Sequence, residues 1–219
     1  MGSNPAVRTN MQSDTRLLEA DSLHLWRGER HVLRDLGFAL EAGRCMQVTG
    51  PNGSGKSSLL RSLAGLLPLE SGTVRWRGID ARLDSFSLHT ELAWLGHSTA
   101  LKADLTAREN LLYSAGLRRS FAPGDIDAAL VAVGYAQPEP LLARQMSAGQ
   151  QRRVALARVL LLSATLWLLD EPTSNLDERG QVMFGQMLLA HLEQGGLAVV
   201  ATHQPLRLPG NRVQGLELS

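Results

Sequence analysis

A glycine-rich loop in the first quarter of the chain has the residue types and spacing needed to hold a phosphate chain. It matches the pattern GxxxxGK[ST] and consists of Gly50, Pro51, Asn52, Gly53, Ser54, Gly55, Lys56 and Ser57. Glycines let backbone N–H groups approach phosphate oxygens without an intervening Cβ. In such a loop Lys56 places its charge on the β- and γ-phosphates, the Ser57 hydroxyl binds Mg²⁺, and Ser58 can hydrogen-bond a phosphate. The pattern therefore predicts a nucleoside triphosphate site.

Two carboxylates much later in the chain could complete this site. Asp170 and Glu171 follow the apolar run LWLL and stand 114 and 115 residues after Lys56. We expect the run to form a buried strand with both carboxylates at its carboxyl end. Asp170 would then hold Mg²⁺, directly or through water, and Glu171 would orient and deprotonate the attacking water. Many strands end in acidic residues, so the pair alone is weak evidence for a catalytic site. Its position after the glycine-rich loop and the Pro172 that follows strengthen the assignment.

A second predicted anion site begins 23 residues before Asp170. The segment MSAGQ contains Ser147, Ala148, Gly149 and Gln150. Ser147 and Gly149 would lie at a helix N-terminus, where free N–H groups and the helix dipole favour anions. The pattern S-x-x-Q is also typical of an ordinary capped helix. A capped helix alone does not explain the spacing to Asp170.

The elements that must position these residues alternate between strands and helices. Short runs over 17–49, broken at Gly28, Gly37 and Gly43, indicate strands with turns, the last of them CMQVT (45–49). Further predicted strands cover 72–78, 165–170 and 197–201, and predicted helices cover about 56–67, from Thr106, 125–133 with Gly134 as its end, from Ser147, and 178–194. This order predicts an α/β fold, in which helices flank a parallel sheet and a helical subdomain is inserted at about 97–162.

Together the motifs resemble those of ABC transporter ATP-binding subunits. MSAGQ is similar to the signature LSGGQ, SNLD (174–177) matches the D-loop, and ATH (201–203) matches the H-loop. The resemblance covers about 17–219. It implies a P-loop NTPase fold with a RecA-like parallel sheet, an N-terminal antiparallel β subdomain and an α-helical signature subdomain, all in one domain over 16–219. It also implies ATP and Mg²⁺ as ligands, His203 at the γ-phosphate, and Asp177 and the signature residues at the nucleotide of a second copy.

Two positions depart from the family pattern. The family usually has glutamine where WLGHSTALKADLTARENL places His97. Histidine could still approach Mg²⁺ or water with a protonation state that varies near neutral pH, or it could mainly transmit motion to a partner. At the usual adenine-stacking aromatic stands Arg27, with Trp26 beside it. Either side chain can stack on a base, and strand alternation turns only one toward the nucleotide; we expect Arg27.

Short strings narrow the resemblance further. WLGH, MSAGQQRRVALARV and THQPL look like the ATP-binding subunit of the cytochrome c biogenesis (Ccm) system. This implies a homodimer on integral membrane subunits (CcmB, CcmC and CcmD) at the cytoplasmic face of the bacterial inner membrane, where ATP hydrolysis drives haem export or release of a haem-loaded periplasmic chaperone. Because the six histidines are scattered, no direct haem binding is expected. The alternatives are the ATPase of another ABC importer or exporter, a soluble non-transport ABC ATPase, or a non-hydrolysing regulatory module.

Composition sets further limits. The chain has 219 residues, of which 44% are hydrophobic, which suits one domain with a sizeable core. Its net charge of +1 argues against a broad nucleic-acid interface, which needs a concentrated basic face. The single cysteine, Cys45, excludes an internal disulfide and suits a reducing compartment. The longest apolar stretch is far shorter than the roughly 20 residues of a spanning helix. Residues 1–15 are polar, and we expect them to form a flexible leader.

Overall fold

The computed structural model describes residues 16–122, 124–136 and 140–219. The leader predicted for 1–15 lies outside these residues. Two sheets and six α-helices make up the described chain, together with short 3₁₀ turns. None of the described helices is both long and apolar enough to cross a bilayer.

An antiparallel sheet is built mainly from the first part of the chain. Its order is β2-β1-β4-β5, with β1 at Arg16–Arg27, β2 at Arg30–Glu41, β4 at Ser71–Trp76 and β5 at Ile79–Asp80. A tight turn with Gly28 at φ +60° joins β1 to β2. The break predicted at Gly37 is wrong, because this glycine lies inside β2 and the strand continues through it.

The second sheet is parallel throughout and forms the centre of the molecule. Its order is β6-β7-β8-β3-β9, with β3 at Cys45–Thr49, β6 at Leu92–Leu95, β7 at Leu166–Asp170, β8 at Leu197–Ala201 and β9 at Val213–Glu217. The predicted strands at 45–49, 165–170 and 197–201 are confirmed, whereas β6 and β9 were not predicted. Because β3, β7 and β8 are neighbours, the segments that leave their carboxyl ends meet at one edge.

Six helices accompany the sheets. They are α1 (Lys56–Leu63), α2 (Ser85–Thr90), α3 (Ala107–Gly116), α4 (Asp125–Ala132), α5 (Ala148–Leu161) and α6 (Glu178–Glu193). The predicted starts at Thr106 and Ser147 are confirmed as capping boxes, and Gly134 follows α4 at φ +66°. Helix α1 ends at Leu63, earlier than the predicted end near Pro68.

The parallel sheet separates two apolar clusters. Successive residues of β8 show the division, because Ala198 and Val200 belong to the cluster under α3 to α6, whereas Leu197 and Val199 belong to the cluster under α1 and the antiparallel sheet. This alternation is the strand period of two acting on a sheet covered on both faces. Cys45 lies in the first cluster, where burial raises the pKa of its thiol to about 12 and keeps it unreactive at neutral pH.

Candidate active site

The glycine-rich loop follows β3, and its shape depends on glycine at two positions. Gly50 has φ +139°, and a Cβ there would lie 2.2 Å from the Leu218 carbonyl oxygen. Gly55 has φ +106°, and a Cβ there would lie 2.2 Å from Cγ1 of Val32. A side chain at either position would be strained in conformation and would collide with its neighbour. The loop is therefore held between the segment after β9 and the strand β2.

Lys56 is the first residue of α1 and folds back into the loop. Its side chain is 7% exposed, and Nζ donates hydrogen bonds to the carbonyl oxygens of Gly50 at 2.8 Å and Pro51 at 3.0 Å. The ammonium group is thus fixed inside the loop at the N-terminus of a helix without acidic residues in its first turn. Both the helix dipole and the lysine charge favour an anion at this point.

The two carboxylates lie where β7 ends. Asp170 is the last residue of β7 and is 3% exposed. Glu171 adopts φ +47°, which is uncommon for a residue with a Cβ, while its N–H donates to the Ala201 carbonyl at 2.8 Å. Within the described chain its Oε1 is buried and has no hydrogen-bond partner. A buried carboxylate oxygen without a donor costs free energy, so this group is suited to a ligand, water or metal ion.

His203 closes the same edge from the end of β8. Its Nε2 lies 3.4 Å from Oε1 of Glu171 and 3.0 Å from Oδ1 of Asn52 in the glycine-rich loop. The amide oxygen only accepts, so the histidine Nε2–H is the donor of that hydrogen bond. The histidine thus donates to the glycine-rich loop and lies close to the carboxylate without a hydrogen bond to it.

These groups line one cavity of about 670 Å³. The predicted residues that line it are Arg27, Asn52, Gly53, Gly55, Lys56, Ser57, Ser58, His97, Asp170, Glu171 and His203. Arg30, Val32 and Ser174 also line it, although they were not predicted as site residues. Phe, Tyr and Trp are absent from this lining among the described residues. The cavity thus brings together predicted residues from five separate segments of the chain.

The two candidates for base stacking are placed differently. Arg27 borders the cavity, whereas Trp26 does not. The indole of Trp26 instead stacks on His31, with ring centroids 4.4 Å apart and planes 3° from parallel. Strand alternation thus sends the two neighbouring side chains to different surroundings, as predicted.

The signature residues do not line this cavity. Ser147 and Gln150 form the reciprocal cap of α5, with the Gln150 N–H donating to Ser147 Oγ at 3.2 Å and the Ser147 N–H donating to Gln150 Oε1 at 2.8 Å. Ala148 is exposed, and a Cβ at Gly149 would lie 2.7 Å from the Asn175 carbonyl oxygen. The signature segment is therefore exposed at Ser147 and Ala148 and lies outside the lining of the cavity.

Asp177 is the last residue of the D-loop match (174–177) and immediately precedes helix α6. Its Oδ1 accepts from the Gly180 N–H at 3.0 Å, which caps α6, and from Arg153 Nη2 at 2.7 Å. The cap hydrogen bond, followed by the Arg153 charge, lowers the pKa of this carboxyl. Asp177 is thus anionic and tied to the signature helix α5.

Arg152 is a buried cation of this region that the sequence reasoning missed. It is 2% exposed and donates to the carbonyl oxygens of Gly96 at 3.2 Å and His97 at 2.8 Å and to Ser174 Oγ at 2.8 Å. Burial lowers its pKa, and the charges of Asp170 and Glu171 oppose that effect. The sequence did contain a sign that Arg152 is buried. At helical spacing, Arg152 lies on the same face as the apolar residues 155, 156 and 159.

With this geometry established, comparison with known proteins defines the class. The family model described as ABC transporter matches residues 33–174, and the chain belongs to that family. Two solved structures share the fold. A putative ABC transporter ATP-binding protein from Pyrococcus furiosus has a TM-score of 0.78 and 23% identity over 91% of this chain and 96% of that one. The structure of an ATP-binding subunit of an ABC transporter has a TM-score of 0.76 and 21% identity over 85% and 79%.

More similar relatives carry a particular name. Cytochrome c biogenesis ATP-binding export protein CcmA of Salmonella typhi is 44% identical over 93% of this chain and 97% of its own length. The proteins of the same name from Dechloromonas aromatica and Escherichia coli K12 are 42% and 41% identical over at least 92% of this chain and 97% of theirs. The predicted fold, the predicted ATPase class and the resemblance to this subunit are therefore confirmed.

Proposed function

We propose that this chain binds and hydrolyses ATP to drive an export step in cytochrome c biogenesis, either haem export or release of a haem-loaded periplasmic chaperone. The observation that carries the enzymatic part is a single cavity lined by the glycine-rich loop, the carboxylate pair and His203. The biological part is supported by relatives named for cytochrome c biogenesis and export, which align over nearly their full length.

The loop would hold the triphosphate. Backbone N–H groups of 50–57 and the N-terminus of α1 would surround the β- and γ-phosphates, with Ser58 reaching a phosphate oxygen. Lys56 would exchange its two carbonyl acceptors for phosphate oxygens, since the ammonium already lies within the loop. The base would lie on Arg27 at the hairpin end of the cavity.

Mg²⁺ fits the donor set at this edge. Ser57 and Asp170 would supply the oxygen ligands that Mg²⁺ prefers. The buried oxygen of Glu171 has no hydrogen-bond partner in the described chain, so there is an unsatisfied polar atom beside them for an ion or its water to contact. His97 borders the same cavity and would complete the surroundings of the ion or of its water. When bound, the ion would neutralise charge on the β- and γ-phosphates.

Glu171 and His203 would act on the terminal phosphate. Glu171 Oε1 has no hydrogen-bond partner in the described chain, so it is available to accept a proton from the attacking water. His203 Nε2–H, now on Asn52, would donate to the γ-phosphate and hold it in line. Lys56 would stabilise the charge that develops there.

A second copy would complete the site. Ser147, Ala148, Gly149, Gln150 and Asp177 lie outside the cavity of their own chain. Placed over the nucleotide of a partner copy, they would supply a second set of donors at the triphosphate. The homodimer would work with integral membrane subunits (CcmB, CcmC and CcmD) from the cytoplasmic face of a bacterial inner membrane.

The substitution Glu171→Gln tests the enzymatic proposal. The variant keeps the size of the side chain but cannot accept the proton, so ATP turnover should fall by roughly 10²–10⁴-fold. Binding of ATP should stay within about threefold of the unmodified chain, because Gln still fits the cavity. Phosphate release and nucleotide binding would be measured on the complex with its membrane subunits. Unchanged turnover would exclude Glu171 as the base.

The biological proposal is tested by identifying the membrane subunits that bind this chain. An affinity-tagged chain, purified from bacterial membranes, should carry the integral subunits of the cytochrome c system. That complex should release the haem-loaded chaperone with ATP and fail to do so with Glu171→Gln. Recovery of membrane subunits of a different importer or exporter would replace this assignment while leaving the ATPase assignment intact.

A further inference from the structure

The tip of the β1–β2 hairpin brings two arginines to the cavity. Arg27 ends β1, Arg30 begins β2, and the two are register partners across the turn. Both line the cavity. Nη1 of Arg30 lies 3.4 Å from the point that a Cβ of Gly53 would occupy. The Arg30 guanidinium therefore lies over the glycine-rich loop itself.

These two cations have no acidic partner in the described chain. Several other arginines of the described surface form ion pairs, whereas Arg34 and Arg179 form none there; the pairs are Arg77 with Glu91, Arg82 with Asp80, Arg108 with Asp127, Arg144 with Asp104, Arg153 with Asp177, and Arg207 with Glu178. Like charges opposite each other in a hairpin repel. An anion between the hairpin and the loop would remove that repulsion.

The composition of the cavity lining indicates what kind of ligand group the two arginines would bind. The described lining has no Phe, Tyr or Trp, so the hairpin end offers charge instead of a ring surface. A guanidinium can donate two parallel hydrogen bonds to phosphate oxygens, which an ammonium cannot match in geometry. Lys56 is buried within the loop, whereas Arg30 is exposed and free to approach a ligand from outside.

We propose that Arg30 is a nucleotide-binding residue that contacts the triphosphate from the hairpin side, as a second side-chain cation beside Lys56. The ligand class is a nucleotide with a charged phosphate tail, and the contact leaves the base to Arg27. The proposal rests on the proposed function, because it assumes that the loop holds a triphosphate. If Arg30 makes this contact, the affinity of the chain for ATP depends partly on a charge–charge contact between the phosphates and a residue outside the loop motif.

The test measures binding of Mg-ATP and of adenosine to the purified full chain. Arg30→Ala should weaken ATP binding about tenfold, the effect of losing one charge-assisted hydrogen bond. Arg30→Lys should recover part of that loss, since it restores the charge without the fork. Adenosine, used as a competitor, should bind Arg30→Ala within twofold of the unmodified chain. The matched control is Arg34→Ala, an exposed arginine of β2 whose Nε donates to the His31 carbonyl.

Several outcomes would overturn the proposal. ATP binding within twofold of the unmodified chain in Arg30→Ala would remove Arg30 from the site, as would an equal loss in Arg34→Ala. An equal loss for adenosine would assign the effect to the base or to the hairpin. Lys56→Ala separates the two claims: if it abolishes ATP binding, the proposed function stands whatever Arg30 does. If Lys56→Ala binds ATP normally, both proposals fall.

Discussion

Glu171 combines an uncommon backbone conformation with a buried carboxylate oxygen that has no hydrogen-bond partner in the described chain. Its positive φ turns the chain sharply after β7, and its N–H continues the ladder to Ala201. The turn leaves a carboxylate oxygen buried and without a donor, 3.4 Å from His203 Nε2. Strained backbone and an unpartnered polar atom each cost free energy, and both occur together at functional positions.

Trp26 and Arg27 allow a direct comparison of neighbouring residues. We expect Arg27→Ala to weaken Mg-ATP binding about tenfold, because its guanidinium borders the cavity. Trp26→Ala should change binding less than twofold, because the indole stacks on His31 away from the cavity. Titration with a fluorescent ATP analogue, with thermal melting as a folding control, measures both. The reverse ranking would assign the base to Trp26.

At this scale the sequence identified residues that belong to motifs and missed those that do not. The loop, Asp170 and His203 were predicted because their residue types and order carry the chemistry. Arg30 was missed because only the fold places it beside Gly53, and Arg152 was missed because its partners lie far along the chain. Arg152, for example, bonds to carbonyl groups 55 and 56 residues away. Only the tertiary fold brings such groups together.

Helix α5 links its surface cap to the candidate active site through two arginines. Arg152 holds the backbone of His97 and the hydroxyl of Ser174, while the next residue, Arg153, holds Asp177 and the Val133 carbonyl. The two arginines thus fix both ends of the D-loop segment.

Arg152→Met tests this link. Because it removes three hydrogen bonds next to Asp170 and Glu171 but none from the phosphate loop, we expect kcat to fall about 10–100-fold while KM for ATP stays within threefold. Arg152→Lys should recover part of kcat, which a loss of packing alone would not allow. Arg179→Met on the exposed side of α6 is the control. A rise in KM with unchanged kcat would contradict the positioning role.

Secondary structure was predicted best where periodicity and caps agree. The capping boxes of α3 and α5 and the buried runs of β7 and β8 are local features, and they were found. Strand β6 is apolar but has only four residues, too few to distinguish a strand from part of a buried helix, and β9 has mixed burial without a clear apolar pattern. Their place in the sheet depends on β7 and β3, which sequence alone does not align with them.

The two sheets are joined by Glu91. This carboxylate accepts from Trp76 Nε1 at 3.3 Å, from Arg77 Nη2 at 2.6 Å and from Thr165 Oγ1 at 2.9 Å. Trp76 and Arg77 lie at the end of the antiparallel sheet, and Thr165 immediately precedes β7. The Arg77 hydrogen bond lowers the pKa of Glu91, and the other two donors add to this.

Glu91→Gln should reduce the free energy of unfolding by about 1 kcal/mol at pH 7, a modest value because Arg77 is half exposed. A carboxyl with a lowered folded-state pKa stabilises the fold above its ordinary value of 4.5 and loses that contribution as pH falls through the folded-state pKa. The difference between the two chains should therefore hold from pH 7 to about 5 and shrink below 4.5. Urea unfolding measures it, with exposed Glu70→Gln as control. A difference that grows in acid would contradict this assignment.

At the scale of the whole molecule, the proposed function requires that two copies share one ATP. The exposed cap of α5 lies outside the cavity of its own chain, so in the proposed dimer it would face the cavity of the partner copy. Ala148→Glu would place a negative charge on that cap without entering the cavity of its own chain. Ala128→Glu, also exposed and on helix α4, adds the same charge elsewhere.

The most direct measurement is the molar mass in solution of Glu171→Gln, which slows hydrolysis, with and without Mg-ATP. We expect a mass of one copy, 23.8 kDa, without nucleotide and twice that with Mg-ATP. Adding Ala148→Glu should abolish the doubling, and adding Ala128→Glu should leave it unchanged. A mass that stays at one copy with saturating Mg-ATP, or that doubles despite Ala148→Glu, would contradict the shared site.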